Sequence, residues 1–301
     1  MSIYLFYSKI DKYVMKIAIS GASGFIGTAL SKYLKDKGHD IIPLGRDCFH
    51  NQDILYNRLA SSDVVINLAG ASINNRWTAK YKEEILNSRI ITTRKIVNVL
   101  NQLSKKPSLF ISTSAVGIYP KEIPCTEQSH LTSDNFLGTV CRKWEEEAAK
   151  CSPDIRHIIC RFGVVLSLFG GALPRILIPF SFGMEVYLSS TPNYFPWISI
   201  GDLCNAIYFI IENKNINGIV NCVSPSITTY REFADTIGRY KKSYIKIPFP
   251  DFIKKIVLGE MGEIMPGGQQ VIPQVLIDNG FQFNCNNIDQ AISYCFTKEK
   301  A

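Results

Sequence analysis

Three glycines on a predicted strand-to-helix turn constrain this chain more than any other feature of its sequence. Residues 15–20 read MKIAIS, and this short apolar stretch with β-branched residues predicts a buried strand. Residues 28–37 place apolar side chains on one face and are followed by Gly38, which predicts a helix and its end. Between the two lies GASGFIG, residues 21–27. A strand, a glycine-rich turn and a helix in this order predict an α/β fold that binds phosphates at the first helix.

Each glycine of this turn has a predicted role in binding a dinucleotide. Gly21 allows the tight turn, Gly24 lets a pyrophosphate approach the backbone, and Gly27 lets the helix pack close to the sheet. The spacing is GxxGxxG and not the more common GxGxxG, so a glycine-rich turn that binds nothing is the alternative. We predict a cofactor-binding loop formed by Gly21, Ala22, Ser23, Gly24, Phe25, Ile26 and Gly27.

The end of the second predicted strand, residues 39–44, bears on the choice between NAD and NADP. An acidic residue at this place binds the ribose 2′-OH of NAD, whereas an arginine accommodates the 2′-phosphate of NADP. Arg46 suits a phosphate because its guanidinium can bond it bidentately. Asp47 follows directly and weakens the argument. The sequence therefore favours NADP, with NAD as the alternative.

Two further predicted strands end in residues that suit a ligand edge. Residues 63–67 continue into Leu68, Ala69 and Gly70, an exit that can lie against an adenosine, although any close turn needs such residues. The fourth strand ends in STSA, residues 112–115, and hydroxyls at the carboxyl end of a parallel strand point toward bound ligands. We predict that Ser112 contacts the cofactor and that Ser114 binds a substrate carbonyl. Capping of the strand end is the alternative.

Composition excludes several classes of function. No stretch approaches the roughly 18 apolar residues of a membrane span. The net charge of +7 is spread along the chain without a basic stripe and interleaved aromatics, which disfavours nucleic acid as a partner. Nine scattered cysteines without a CxxC motif indicate free thiols in a reducing cytoplasm rather than disulfides or a zinc site. A small-molecule substrate remains the predicted partner, and the oligomeric state stays open.

The order of GASGFIG, INLAG, STSA and RFGVVLS resembles an extended short-chain dehydrogenase/reductase. More narrowly, the chain is similar to the atypical YfcH-like branch of NAD-dependent epimerase/dehydratase-like proteins from Met15 onward. Further matching motifs are RW at 76–77, SR at 88–89, WE at 144–145, GGAL at 170–173, FPWI at 195–198, GD at 201–202 and GGQ at 267–269. The resemblance implies an NADP site at residues 21–26, Arg46, Leu68 and Ala69. It also implicates Glu84, Arg89 and Glu145, for which a solvated helix surface is the alternative.

One departure from the resemblance concerns catalysis. Ordinary members of the superfamily carry Tyr-x-x-x-Lys on the helix after STSA, where the tyrosine is the acid/base and the lysine lowers its pKa. The matching positions here are Leu137 and Cys141, and neither can do this chemistry. Tyr119 is the candidate replacement acid, with Ser114 orienting the substrate. Residues 183–194 also lack the glycine-rich run that the branch leads us to expect, so the shape of the substrate pocket does not follow from the resemblance.

The predicted architecture is a Rossmann-type, doubly wound parallel sheet with a smaller α+β C-terminal domain. Residues 15–165 form the nucleotide domain, which residues 197–224 rejoin, and residues 166–196 and 225–301 form the smaller domain or lid. Residues 1–14 are an N-terminal arm or a misassigned start.

Local signals add detail to the C-terminal part of the chain. Asp202 is the predicted N-cap of a helix, and Thr229 with Glu232 forms a predicted capping box for the next helix. Trp197 and Phe281 are predicted core residues rather than ligand contacts.

Two functions are compatible with the sequence. The first is an NADP-dependent oxidoreductase or epimerase-like protein that transfers hydride to or from a small carbonyl or sugar-nucleotide-like substrate. The second is a catalytically silent protein that senses NADP(H), which the missing tyrosine–lysine pair favours.

Overall fold

A computed structural model describes residues 13–73, 75–188, 193–249 and 268–297. Its strands are β1 (Lys16–Ser20), β2 (Asp40–Leu44), β3 (Val64–Asn67), β4 (Leu109–Ala115), β5 (Arg156–Phe162), β6 (Val164–Leu166), β7 (Met184–Leu188), β8 (Trp197–Ser199), β9 (Gly218–Cys222) and β10 (Ile245–Phe249). Its α-helices are α1 (Phe25–Asp36), α2 (Arg46–His50), α3 (Gln52–Ala60), α4 (Ala79–Gln102), α5 (Phe136–Ala148), α6 (Leu173–Ser181), α7 (Ile200–Glu212), α8 (Tyr230–Lys241), α9 (Gln274–Asp278) and α10 (Ile288–Thr297).

The central sheet confirms the predicted doubly wound fold. Six parallel strands lie in the order β2-β1-β3-β4-β5-β9. Residues 17–19 and 64–66 are almost wholly buried, as expected for parallel strands covered by helices on both faces. The chain moves from β1 to β2 on one side and then to β3 on the other. Such a reversal opens a ligand-binding edge at the carboxyl ends of the two flanking strands.

The C-terminal part of the chain packs on this sheet as well as on itself. Within residues 197–224, which were predicted to rejoin the nucleotide domain, β9 pairs with β5 of the central sheet. Leu276 and Phe281 belong to the same apolar cluster as β1 and β3. A second cluster surrounds Trp197 and Phe233, and two small parallel sheets, β6–β8 and β7–β10, flank it. The predicted core positions of Trp197 and Phe281 are confirmed, while the division into domains stays a prediction.

Helix ends show one success and one error of the sequence reasoning. The capping box at the start of α8 is confirmed, because Thr229 and Glu232 bond each other's backbone reciprocally. The predicted N-cap of α7 was wrong: Ser199 caps the helix, and Asp202 lies one turn inside it. Asp202 is buried and instead accepts hydrogen bonds from the backbone N–H groups of Asn284 and Cys285. A carboxylate used for a distant contact gives no local signal that distinguishes it from a cap.

Some predictions fall partly outside the described residues. The predicted N-terminal arm, the unusual segment at 183–194 and the predicted smaller domain or lid at 166–196 and 225–301 each include residues that lie beyond the described ranges.

Candidate functional site

The glycine loop follows β1 at the carboxyl edge of the sheet. Gly21 has φ +70°, a conformation that favours glycine, and its carbonyl accepts the Gly24 N–H at 2.9 Å. A Cβ on Gly24 would meet only the Gly21 carbonyl oxygen, at 3.2 Å, so the outer face of Gly24 is open. The predicted reason for Gly27 needs correction. A Cβ there would overlap the Gly21 carbonyl oxygen, so the loop itself, rather than the sheet, requires this glycine.

The side chains of the loop divide into an exposed tip and a packed base. Ser23 and Gly24 are exposed, whereas Ala22, Phe25 and Ile26 are partly buried and pack against the apolar core. The Phe25 ring lies against Gly170 and Gly171, where added Cβ atoms would approach it to 2.5 and 3.0 Å. The exposed backbone at the tip is thus the part of the loop that can meet a ligand.

The exit of β3 lies directly beside the loop, as a shared nucleotide site requires. A Cβ on Gly21 would be 3.0 Å from the Leu68 carbonyl. The Ser20 hydroxyl donates to Asn67 Oδ1 at 2.6 Å and accepts the Ala69 N–H at 3.3 Å. The structure therefore brings the predicted residues of the loop and of positions 68–70 to one place.

Arg46 lies at the start of α2, just beyond the end of β2. Its side chain is exposed and makes no hydrogen bond or ion pair with any described residue. The neighbouring Asp47 is engaged: Arg58 Nη2 donates to Asp47 Oδ2 at 2.8 Å, and Arg58 Nη1 donates to the Pro43 carbonyl at 2.6 Å. We call Arg46, Asp47 and Arg58 the phosphate corner. Here one cation is free while a second neutralises the adjacent carboxylate.

Of the two α4 residues implicated, only Arg89 is brought to this edge. Its guanidinium lies 3.0 Å from where a Cβ of Gly70 would be, stacks over the Trp144 ring and donates to the Ile85 carbonyl. Burial lowers the pKa of Arg89 below its ordinary value. Glu84 is exposed on the second turn of α4 and bonds no other side chain in the described ranges. Its predicted role gains no geometric support.

A continuous chain of polar groups lies at the carboxyl ends of β4, β5 and β9. The Ser114 hydroxyl donates to Glu145 Oε1 at 2.6 Å. Arg161 holds the same carboxylate with two hydrogen bonds, of 2.9 and 2.7 Å, and the two side chains are only 6% and 12% exposed. Arg161 Nη1 donates to the Tyr119 hydroxyl at 2.7 Å, and that hydroxyl donates to Asn221 Oδ1 at 2.9 Å. We call these five residues the buried polar chain.

The position of Tyr119 argues against its predicted role as the replacement acid. Its side chain is 0% exposed, and its hydroxyl is already used as a donor and as an acceptor. Burial raises the pKa of this hydroxyl above its ordinary value despite the nearby Arg161. An acid catalyst needs to reach its substrate and to have a pKa near the working pH, and this tyrosine has neither property here. Its catalytic role remains an untested prediction.

The positions that usually carry the tyrosine and lysine are apolar or neutral. Leu137 packs beside Gly117, and Cys141 is buried below the carboxyl end of β4. Burial, reinforced by the charge of Glu145, raises the pKa of the Cys141 thiol to about 11, so it is neutral at pH 7. Ser112 is buried, and its hydroxyl has no partner among the described residues, so the predicted cofactor contact stays untested.

Sequence reasoning missed Arg58 and Arg161. Arg161 had a usable signal, because it is a charged residue inside the apolar strand sequence IICRF. Such a residue is tolerated only when a partner neutralises it. Arg58 had none, since it reads as an ordinary surface residue of α3.

Metal-ion and membrane sites find no support in the described part of the chain. The described residues contain no group of three or more His, Cys, Asp or Glu side chains that could bind a metal ion. No described helix combines the length and apolar character needed to cross a membrane.

Comparison with known proteins adds to this geometry. Residues 17–222 match the sequence model of the NAD dependent epimerase/dehydratase family, and residues 249–295 match a domain of unknown function, DUF1731. Epimerase family protein YfhF of Bacillus subtilis is 32% identical over 302 residues, covering 95% of this chain and 99% of YfhF. Human epimerase family protein SDR39U1 is 32% identical over 92% of this chain and 98% of its own. A crystal structure of that human protein (isoform 2) with NADPH has a TM-score of 0.85 and 29% identity, and the match covers 94% of this chain and 100% of the solved one.

Proposed function

This chain belongs to the NAD dependent epimerase/dehydratase family, and on that premise we propose that it binds NADP(H) and catalyses hydride transfer. The substrate would be a small carbonyl or sugar-nucleotide-like compound. The nicotinamide supplies the hydride chemistry when bound, while the protein supplies binding, orientation and proton handling. The structure of the human relative with NADPH supports the choice of cofactor.

The free Arg46 carries the proposal that the cofactor is NADP(H). Its guanidinium is exposed at the end of β2 and is not committed to any described side chain. Asp47, the residue that could instead favour NAD, is held by Arg58 at 2.8 Å. A 2′-phosphate therefore meets an available cation and a neutralised carboxylate at this corner.

The remaining contacts to the cofactor follow from the edge described above. The open backbone at Gly24 and the start of α1 suit a pyrophosphate. The exit at residues 68–70 suits the adenosine. Arg89, beside Gly70, and Glu145, between Ser114 and Arg161 in the polar chain, are assigned to the cofactor by the resemblance to the YfcH-like branch, which stays part of this proposal.

Ser114 and Glu145 are the groups that we assign to proton handling. Ser114 is buried like Tyr119, but its hydroxyl donates to Glu145, so its oxygen could accept a hydrogen bond from the hydroxyl of a substrate that reaches the end of β4. Glu145 is a carboxylate that can receive the proton passed through Ser114 Oγ. When a carbonyl is reduced by hydride, the same pair delivers the proton to the carbonyl oxygen. Leu137 and Cys141, at the positions of the usual tyrosine and lysine, provide no acid or base. In this proposal Ser114 and Glu145 take over that function.

A catalytically silent NADP(H)-binding protein is the second candidate, and the burial of Tyr119 favours it. NADPH consumption with a panel of aldehydes, ketones and sugar nucleotides separates the two functions. Turnover that is lost in Ser114→Ala but kept in Tyr119→Phe supports the enzyme as proposed. Tight NADPH binding without turnover on any compound supports the silent protein.

The cofactor proposal is tested by measuring NADPH and NADH affinities of Arg46→Glu. We expect NADPH binding to weaken by about 1–3 kcal/mol more than NADH binding, because a charge-assisted contact is lost. Lys35→Glu, which makes the same charge change on the last turn of α1, is the matched control. If Arg46→Glu weakens the binding of NADPH and of NADH equally, Arg46 does not bind the 2′-phosphate.

Location and partners complete the proposal. All nine cysteines are free thiols, and eight of them are buried, which supports a reducing cytoplasmic environment. The partners we propose are the nucleotide and one small-molecule substrate.

A further inference from the structure

The phosphate corner contains a residue with no assigned role, Arg58, which no local motif brings to notice. Arg58 is on the last turn of α3, and both of its terminal nitrogens are used. Nη1 donates to the Pro43 carbonyl at 2.6 Å, which anchors the guanidinium to β2. Nη2 donates to Asp47 Oδ2 at 2.8 Å. The guanidinium is therefore fixed at one end and binds the carboxylate with the other.

Asp47 occupies a place where a carboxylate has a known effect on nucleotide choice. It follows the last glycine of the loop by about 20 residues, the spacing at which an acidic residue binds the ribose 2′-OH in NAD-specific sites. A free carboxylate beside Arg46 would repel a 2′-phosphate and attract a 2′-OH. The chain thus carries the arginine of one specificity and the acid of the other, side by side.

The structure shows how this conflict is resolved. Asp47 Oδ1 lies 2.5 Å from the position that a Cβ on Gly45 would take, so the carboxylate folds back over a residue without a side chain. Its other oxygen is bonded by Arg58. Arg46 keeps its donors free among the described residues. Of the two arginines, one neutralises the acid and the other is left for the ligand.

We propose that Arg58 is a positioning residue that sets the preference for NADPH over NADH by holding Asp47 away from the ribose. This inference rests on the proposed binding of NADP(H) and adds a second, indirect determinant to Arg46. Arg58 acts through Asp47 and does not itself need to touch the phosphate.

The test is a double-mutant cycle read by the affinities for NADPH and NADH. Arg58→Met keeps the aliphatic stem and releases Asp47. We expect NADPH to bind about 5- to 20-fold more weakly and NADH to bind more tightly, because a freed carboxylate repels the first and accepts from the second. In Asp47→Asn/Arg58→Met both effects should disappear, since there is no acid left to release.

The gain in NADH affinity is the decisive measurement, because a damaged or partly unfolded corner cannot produce it. Lys35→Met is the matched control for loss of one positive charge. If Arg58→Met weakens NADPH by the same factor with and without the Asp47→Asn change and leaves NADH unchanged, Arg58 contacts the phosphate directly and the positioning role is overturned. Unchanged affinities for both nucleotides overturn it too. If the wild-type chain binds neither nucleotide, the proposed function fails instead.

Should Arg58→Met fold poorly, Gly45→Ala provides a second route to the same result. A Cβ at this position collides with the folded-back Asp47 carboxylate and must displace it. We expect the ratio of NADPH to NADH affinity to fall in this variant and to be restored in Gly45→Ala/Asp47→Asn. A ratio that is the same in Gly45→Ala as in the wild type contradicts the proposal.

Discussion

The phosphate corner and the buried polar chain use arginines in opposite ways. At the corner, Arg46 is exposed and uncommitted, and Arg58 is partly exposed in a surface ion pair. In the chain, Arg161 is almost fully buried, and three of its nitrogens bond Glu145 and Tyr119. A cation meant for a ligand has to keep its donors available, whereas a buried cation has to use them within the protein.

The comparison shows which polar groups can bind a ligand without rearrangement. The corner would offer charge to the proposed 2′-phosphate at little cost, since its side chains are exposed or partly exposed. In the buried polar chain the side-chain polar groups of Glu145, Arg161 and Tyr119 are all bonded within the protein. Although burial opposes its charge, the hydrogen bonds and charge of Glu145 raise the pKa of Arg161, so the guanidinium stays charged. We therefore expect the loss of Arg161 from the chain to alter mainly stability, and mutations in the corner to alter mainly binding.

Arg161→Met should have the largest effect of the variants considered. It leaves the Glu145 carboxylate buried without its cation, which costs about 3–5 kcal/mol of unfolding free energy. Urea denaturation measures the loss. Arg94→Met is the control, because Arg94 is half-exposed and its partner Glu147 keeps Lys150. If Arg161→Met lowers the free energy of unfolding no more than Arg94→Met does, burial does not make the Arg161 ion pair more costly to break than an exposed one.

Gly24→Val should abolish binding of both nucleotides while the protein stays folded. A Cβ at Gly24 meets only one backbone oxygen, so the valine fits, but its branches occupy the open face that the pyrophosphate needs. We expect at least about a 100-fold loss, or roughly 2.7 kcal/mol. Calorimetric titration with NADPH and NADH measures it, and Lys32→Val on the exposed side of α1 is the control. Normal binding in Gly24→Val would place the nucleotide site elsewhere.

Glu147 gives the smallest effect and tests an ion pair outside both regions. The hydrogen bond from Arg94 lowers the pKa of this carboxyl to about 2. Because the folded-state pKa is depressed, the stabilisation is present above the ordinary pKa near 4.5 and is lost as the pH falls toward 2. Glu147→Gln should lose about 1 kcal/mol at pH 7, since Arg94 is half-exposed, and almost nothing at about pH 2. Thermal unfolding across this pH range measures the effect, with exposed Glu146→Gln as the control.

Much of the nucleotide edge was predictable because its requirements are local. The positive φ of Gly21 and the crowding at Gly27 arise from residues within the same turn. The strands β1 and β3 were visible as apolar runs, and the capping box of α8 spans only four residues. The role predicted for Gly27 was packing against the sheet, whereas the close contact that the structure shows is with the Gly21 carbonyl in the loop. Asp202 was predicted as an N-cap, whereas its carboxylate accepts hydrogen bonds from the backbone of residues 284 and 285.

The buried polar chain could not be assembled from the sequence. Its partners come from separate elements, and Tyr119 and Asn221 are 102 residues apart. The motif-based choice of Tyr119 as an acid considered proximity along the chain and not burial. Arg161 was missed, and only the structure identified Glu145 as its partner.

By itself the sequence determined the glycine turn, the parallel strands and the presence of Arg46 beside Asp47, because backbone sterics and apolar patterning act between neighbours. Only the tertiary structure decided what these charges do. Arg58 neutralises Asp47 from another helix, and Arg161 binds Glu145 from another element of the fold. The energy of a charge depends on which groups burial brings beside it, and that arrangement exists only after the sheet and its helices have packed.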